Sequence, residues 1–237
     1  MTCDVDTNRM NHAKNIVDQN YGNKDCSTSK DFRDVLARDD IDAVMISTPD
    51  HWHTLISIMA IRAGKDVQCE KPTLTIDEGK LLISEVRKHK KVFQTSTEDR
   101  AVPVYHRMAE LVRNGRIGKL KKIEVILPKQ PNGPGDPTPQ PIPKSLDYDM
   151  WLGPAPMREF NSILCPTNIH GHFPQWRRYR EYAGGKLSDM GAHHYDIAKW
   201  AMDIDETGPV KIIPPKTGIN GLKMIYADGL EIIHQST

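Results

Sequence analysis

The chain has 237 residues, enough for one large or two modest domains, and carries 32 Lys+Arg against 31 Asp+Glu with no basic run able to follow a phosphate backbone, so nucleic acid is not an expected partner. No apolar stretch approaches the roughly 20 residues that span a bilayer, and no signal-peptide pattern stands at Met1, so no membrane partner is expected either. Cys3, Cys26, Cys69 and Cys165 lack CxxC spacing and read as buried thiols; this fits a reducing compartment and favours the cytoplasm, with a secreted or periplasmic parent left open.

Between Asn8 and Lys90, helical and strand patterns alternate. Helices are predicted over 8–21, closed by Gly22, and over 31–37, followed by an apolar run of strand length over 41–46. Leu55, Ile56, Ile58, Met59 and Ile61 then recur at helical spacing as far as Gly64, where a left-handed stop is expected. A strand over 66–69, a helix over 77–89 with Ile76, Leu81, Leu82 and Val86 on its inner face, and a strand over 92–95 complete a βαβ pattern, hence a doubly wound α/β domain over 1–100. A helix over 103–113 and a strand over 120–127 precede the proline-dense stretch 128–143, which reads as a loop. A helix over 186–202 and strands over 210–213, 222–226 and 230–234, the last two joined by a turn at Ala227-Asp228-Gly229, make residues 101–237 a second, α+β domain.

Three places could carry chemistry. Glu70-Lys71-Pro72 leaves a strand, and ligands of open parallel sheets bind outside the carboxyl ends of the strands. Pro72 restricts the backbone that aims Lys71; the bland alternative is a solvated lysine in a turn. Asp189 and His193 stand four apart and share a helix face, where a carboxylate sets an imidazole's tautomer and basicity, as a general base requires; Asp196 can reach the same face, and a plain surface ion pair is the alternative. The pairs His51/His53, His170/His172 and His193/His194 invite a metal, but no HExxH or other recognised ligand spacing accompanies them, so none is expected and Trp52 is read as lining a pocket. Near the start, Asp4 stands where a carboxylate would meet an adenosine ribose and repel a 2′-phosphate, while Asp6 or Thr7 would serve as a helix N-cap.

Cys3-Asp4-Val5-Asp6, Ser47-Thr48-Pro49-Asp50-His51-Trp52-His53, Glu70-Lys71-Pro72, Trp151-Leu152-Gly153-Pro154 and Asp189-x-Gly191-x-His193-x-x-Asp196 follow one another in an order that resembles the Gfo/Idh/MocA family of nicotinamide-dependent oxidoreductases, across essentially the whole chain. The resemblance implies a Rossmann-like parallel sheet followed by an α+β domain with an open, mainly antiparallel sheet, through which copies would associate as dimers or tetramers. It implies NAD, with NADP disfavoured by Asp4, contacted by Asp4, Thr48, Pro49, Asp50, His53, Glu70 and Lys71. Lys71, Asp189 and His193 match the family's catalytic lysine, aspartate and histidine, acting on a sugar, sugar derivative or cyclitol, with Trp176, Arg177, Tyr179 and His194 as substrate contacts. NAD-assisted glycoside hydrolysis and a catalytically inactive fragment are the alternatives.

The sequence departs from the family pattern at both ends. GxGxxG is absent, and the chain begins about where the second Rossmann strand should end, so the first strand and the phosphate-cradling turn are expected to be missing; at the other end the chain stops soon after a hairpin. In the order 3-2-1-4-5-6 the first strand is central, so a gap is expected in the middle of the sheet, with weak NAD binding by this chain alone.

Overall fold

In a computed structural model, residues 1–127, 138–169 and 174–236 are described. Part of the proline-dense stretch, and His170 and His172, lie outside them. The chain forms two compact units, one from Met1–Ser96 with Gly133–Gly184, the other from Thr97–Asn132 with Gly185–Thr237.

Unit 1 opens with β1 (Thr2–Cys3), α1 (Thr7–Tyr21), β2 (Thr28–Ser29) and α2 (Phe32–Leu36), and continues with β3 (Ala43–Ile46), α3 (Asp50–Arg62), β4 (Asp66–Cys69), α4 (Ile76–His89) and β5 (Phe93–Thr95). Every strand pairing here is parallel, but the strands fall into two sheets, β1-β2 and β3-β4-β5. That division matches a 3-2-1-4-5-6 order whose central strand is not among them. Local signals set the helix ends. The Asp6 carboxylate accepts the Asn8 N–H to cap α1, and Gly22, at φ 67°, stops it. Thr75 and Glu78 form a reciprocal capping box on α4, and Glu78 also accepts the Leu74 N–H at 2.9 Å.

The α3 helix is buried over most of its length, polar first turn included, and packs Ile56, Ala60 and Ile61 with Ile46, Val67, Cys69 and Leu82. The inner face of α4 is narrower than expected. Leu82 and Val86 pack inward, whereas Ile76, in the first turn beside its cap, and Leu81 are exposed. Glu85 completes the inner face, buried and paired with Arg62 at 2.8 Å. Of the four thiols three are buried; Cys3, in a two-residue strand, is exposed.

Residues of the 133–184 segment belong to unit 1 by contact, although the sequence pattern grouped them with the second domain. The Thr7 N–H donates to the Ser145 carbonyl, Asp6 bridges Leu146, and α6 (Tyr148–Leu152) joins a second cluster with Phe160, Leu164, Trp176 and Tyr182. Trp52 packs edge-on to Phe32 and lies in the core instead of lining a pocket.

Unit 2 contains a 3-10 turn at Glu98–Ala101, α5 (Pro103–Arg113), β6 (Lys122–Leu127), α7 (Gly185–Met202), β7 (Lys211–Ile213), β8 (Lys223–Ile225) and β9 (Glu231–Ser236). Its sheet runs β6-β9-β8-β7, with β6 parallel to β9 and the other two pairings antiparallel. Val125, Leu127 and Ile232 pack under Ala198 of α7. Gly191 allows this approach, since a Cβ there would stand 3.3 Å from the Tyr195 ring and 3.8 Å from Leu127.

Gly153 ends α6 at φ +50°, and a Cβ on it would lie 1.9 Å from Cζ2 of Trp52. Gly153→Ala is therefore expected to destabilise unit 1 by at least about 2 kcal/mol, combining backbone strain with overpacking. A urea unfolding midpoint unchanged by the substitution would show that Trp52 does not occupy this contact.

Candidate active site

In unit 1 the carboxyl ends of β3, β4 and β5 form one edge. The ladder runs a step past the strands, with the Glu70 N–H donating to the Ile46 carbonyl and the Ser96 N–H to that of Cys69, both at 2.9 Å. Thr48, Lys71 and Ser96 follow directly, so Lys71 stands two residues beyond β4, half-buried, joined to Pro72 by a cis peptide bond. The Thr48 and Ser96 hydroxyls are buried with no hydrogen-bond partner among the described residues. Pro49 caps α3 without a side-chain acceptor, leaving its first-turn N–H groups uncapped from that side. Buried Asp50 is the first residue of the helix, and half-buried Glu70 precedes Lys71. Among the described residues, the buried groups of this edge without a partner are the Thr48 and Ser96 hydroxyls.

Asp4 lies one residue past β1, and its Oδ1 accepts the Asp6 N–H at 2.8 Å. Burial lifts its carboxyl above the usual range, outweighing that bond and the pull of Arg9. His51 Nε2 and Trp52 Nε1 each lie 3.1 Å from the Trp151 carbonyl oxygen. His53, 2 % exposed, directs Nδ1 at the Pro72 carbonyl and Nε2 at that of Thr48. In the 3-10 turn Gln175–Arg178, Trp176 is buried in the second cluster, with the Arg177 guanidinium 4.3 Å from its ring centroid. Arg158 lies 4.8 Å over the Tyr179 ring and pairs with Glu181 at 2.7 Å.

In unit 2, Asp189 and His193 sit one turn apart on α7, both buried. His193 Nδ1 has no hydrogen-bond partner among the described residues, and its Nε2 lies 3.9 Å from a Glu98 carboxylate oxygen. His194 lines a cavity of about 270 Å³ with Tyr105 and Met108 of α5 and Ile123 of β6. Asp196 is engaged by Arg100, which donates to both its oxygens at 2.6 Å and also holds Asp205. Asp196 foremost, with Asp205, pushes the guanidinium pKa above its ordinary value. The predicted residues thus fall into two groups, each coherent within its unit: Thr48, Asp50, Glu70 and Lys71 around the unit 1 edge, Asp189 and His193 on α7. Glu98, Ser96 and Arg100 carry no motif and were missed.

Residues 3–97 match the NAD-binding Rossmann fold of the Gfo/Idh/MocA oxidoreductases, and residues 131–236 match the C-terminal alpha/beta domain of the same oxidoreductase family. The chain belongs to the Gfo/Idh/MocA oxidoreductase family. Relatives include the uncharacterised oxidoreductase YrbE of Bacillus subtilis strain 168, 36% identical over 76% of this chain and 40% of that protein. Another is the 1,5-anhydro-D-fructose reductase of Ensifer adhaerens, 26% identical over 73% of this chain and 41% of the reductase. The chain thus spans about two fifths of the length of these curated relatives. A levoglucosan dehydrogenase, solved with NADH and levoglucosan, superposes with a TM-score of 0.66 over 99% of this chain and 56% of its own, at 20% identity, which establishes the shared fold.

One buried histidine ties this region to pH. Burial pulls the His51 pKa down to about 4, outweighing its backbone hydrogen bonds. Unfolding restores the ordinary value near 6.5, so the unfolded chain binds a proton that the folded one refuses; the stabilisation is fully present above about pH 6.5 and is lost as pH falls towards 4. Urea midpoints compared at about pH 7 and pH 4.5 should show His51→Gln losing about 2 kcal/mol less than the parent over that interval. Parallel losses in the two proteins would rule His51 out as the source.

Proposed function

We propose that this chain carries residues of an NAD-linked oxidoreductase acting on a secondary alcohol of a sugar, sugar derivative or cyclitol. The observation that carries the reading is Lys71 at the carboxyl edge of β3-β4-β5, an edge that also holds the buried Thr48 and Ser96 hydroxyls, unpartnered among the described residues. Those groups fit a nicotinamide dinucleotide. Asp4 would take the ribose hydroxyls and disfavour a 2′-phosphate, which is the reason for preferring NAD to NADP. Thr48, Pro49 and Asp50 at the head of α3, with Glu70 and Lys71, would line the rest. When bound, the nicotinamide accepts or returns the hydride. The relatives' names support a carbohydrate substrate.

The chain's own residues handle the proton and the oxygen. As hydride leaves the carbinol carbon, the hydroxyl proton must also leave. His193, whose buried Nδ1 is unpartnered among the described residues, receives it. In unit 1, the Lys71 ammonium is suited to donate to a substrate oxygen and stabilise its alkoxide character, a contribution of about 3 kcal/mol. Asp189 orients imidazole or substrate from the preceding turn. Arg177, Tyr179 and His194 remain our assignments for substrate contacts, while Trp176 is packed in the second cluster.

Incubating the chain with NAD at millimolar concentration and a panel including levoglucosan, myo-inositol and glucose should yield NADH with at least one of them. Lys71→Met and His193→Asn should each lower kcat by roughly 10²–10⁴-fold with the melting temperature preserved. Without GxGxxG, NADH affinity should be weaker than micromolar. Absence of both turnover and millimolar NADH binding would defeat the reading.

The partner we assign is a second copy. The outward face of the unit 2 sheet carries Ile126, Ile213, Ile225 and Ile233 between the ion pairs Lys122–Glu124 and Lys223–Glu231. Light scattering should report a dimer or tetramer that Ile126→Asp with Ile213→Asp converts to monomer; a monomeric parent would overturn this.

A further inference from the structure

We propose that His53 is a positioning residue: its ring ties the exit of β3 to the lysine-bearing turn after β4, and so fixes where Lys71 points without itself meeting a ligand. The inference rests on the role given above to Lys71.

The geometry is specific. Nδ1 lies 2.8 Å from the Pro72 carbonyl oxygen and Nε2 2.7 Å from that of Thr48, in a ring almost wholly withdrawn from solvent. Both ring nitrogens are thereby committed to backbone, one on each of the two segments that follow β3 and β4. The anchor is firm because His53 belongs to the buried first turn of α3, with Trp52 in the core beside it. Pro72 itself has no N–H, so its carbonyl is the hydrogen-bonding group by which that residue's backbone can be held.

Proton count makes the tie adjustable. A neutral imidazole has one N–H and can donate to only one of two carbonyls at a time; the protonated ring donates to both. The ionisable groups acting on the ring are Glu70, which favours the extra proton, and Lys71 on the same turn, which opposes it, with His51 two residues away along α3. Burial opposes it too. The neutral ring therefore holds one exit through a donated bond, and protonation adds the second.

Competitive acetylation of the whole chain with acetic anhydride, read by mass spectrometry across about pH 5–9, tests this, with exposed Lys80 on α4 as internal standard. Lys71 reactivity relative to Lys80 should step as His53 titrates. His53→Gln, which keeps a donor but cannot span both carbonyls, should abolish the step and change Lys71 reactivity by roughly three- to tenfold, the ratio for one buried hydrogen bond. An unchanged Lys71 profile in folded His53→Gln overturns the proposal. Should that variant not fold, ring-15N NMR of the parent decides. A slowly exchanging, hydrogen-bonded ring proton whose 15N shift moves together with the Lys71 step supports the tie, and a solvent-exchanging ring overturns it. Neither readout uses cofactor or substrate, so failure here is separate from failure of the proposed activity.

Discussion

The carbonyl oxygen of Trp151 faces two rings from the start of α3, those of His51 and Trp52, and this shared acceptor joins segments a hundred residues apart. Its two lone pairs can accept both N–H groups, so His51 must carry its proton on Nε2. Displacing that carbonyl would leave two buried donors unsatisfied. The constraint propagates. Gly153 must come close enough to Trp52 that no side chain fits, α6 must pack its aromatics around the junction, and α3 is seated with its first residues at the ends of β3 and β4. His51 and Trp52 of the motif 47–53 and Trp151 and Gly153 of the motif 151–154 are the two halves of this contact.

Much of the fold could be read from sequence because its signals are local. Gly22 stops α1, Pro103 opens α5 at the residue expected, and β4 covers Asp66–Cys69 as predicted. What escaped was decided by long-range contact. The two-residue strands β1 and β2 are too short to show alternation, and the inner face of α4 depends on which residues α3 presents. The assignment of 133–184 to unit 1 rests on the Ser145, Leu146 and Trp151 contacts, which no periodicity reveals.

The site was legible to the same degree. Lys71 could be placed because a strand and a proline bracket it, and Asp189 with His193 because helical spacing alone aligns them. Asp196 shows the limit: its spacing suggested a partner for His193, but the Arg100 fork claims it from an irregular turn carrying no pattern. Trp52 and Trp176, aromatic residues in site-like contexts, prove to be core. Aromaticity signals buried area before it signals a ligand.

The order of the chain through its two units has a consequence for synthesis. It leaves unit 1 at Ser96, enters unit 2, returns to unit 1 through 133–184, and re-enters unit 2 at Gly185. On a ribosome, both segments of unit 1 have emerged once residue 184 is out, while β6 must wait for β9, more than a hundred residues later, to become its parallel neighbour. Such a non-local pairing carries a large loop-closure cost and forms slowly. The nascent chain therefore spends a long interval with β6, whose Val125 and Leu127 are buried in the finished fold, still unpaired.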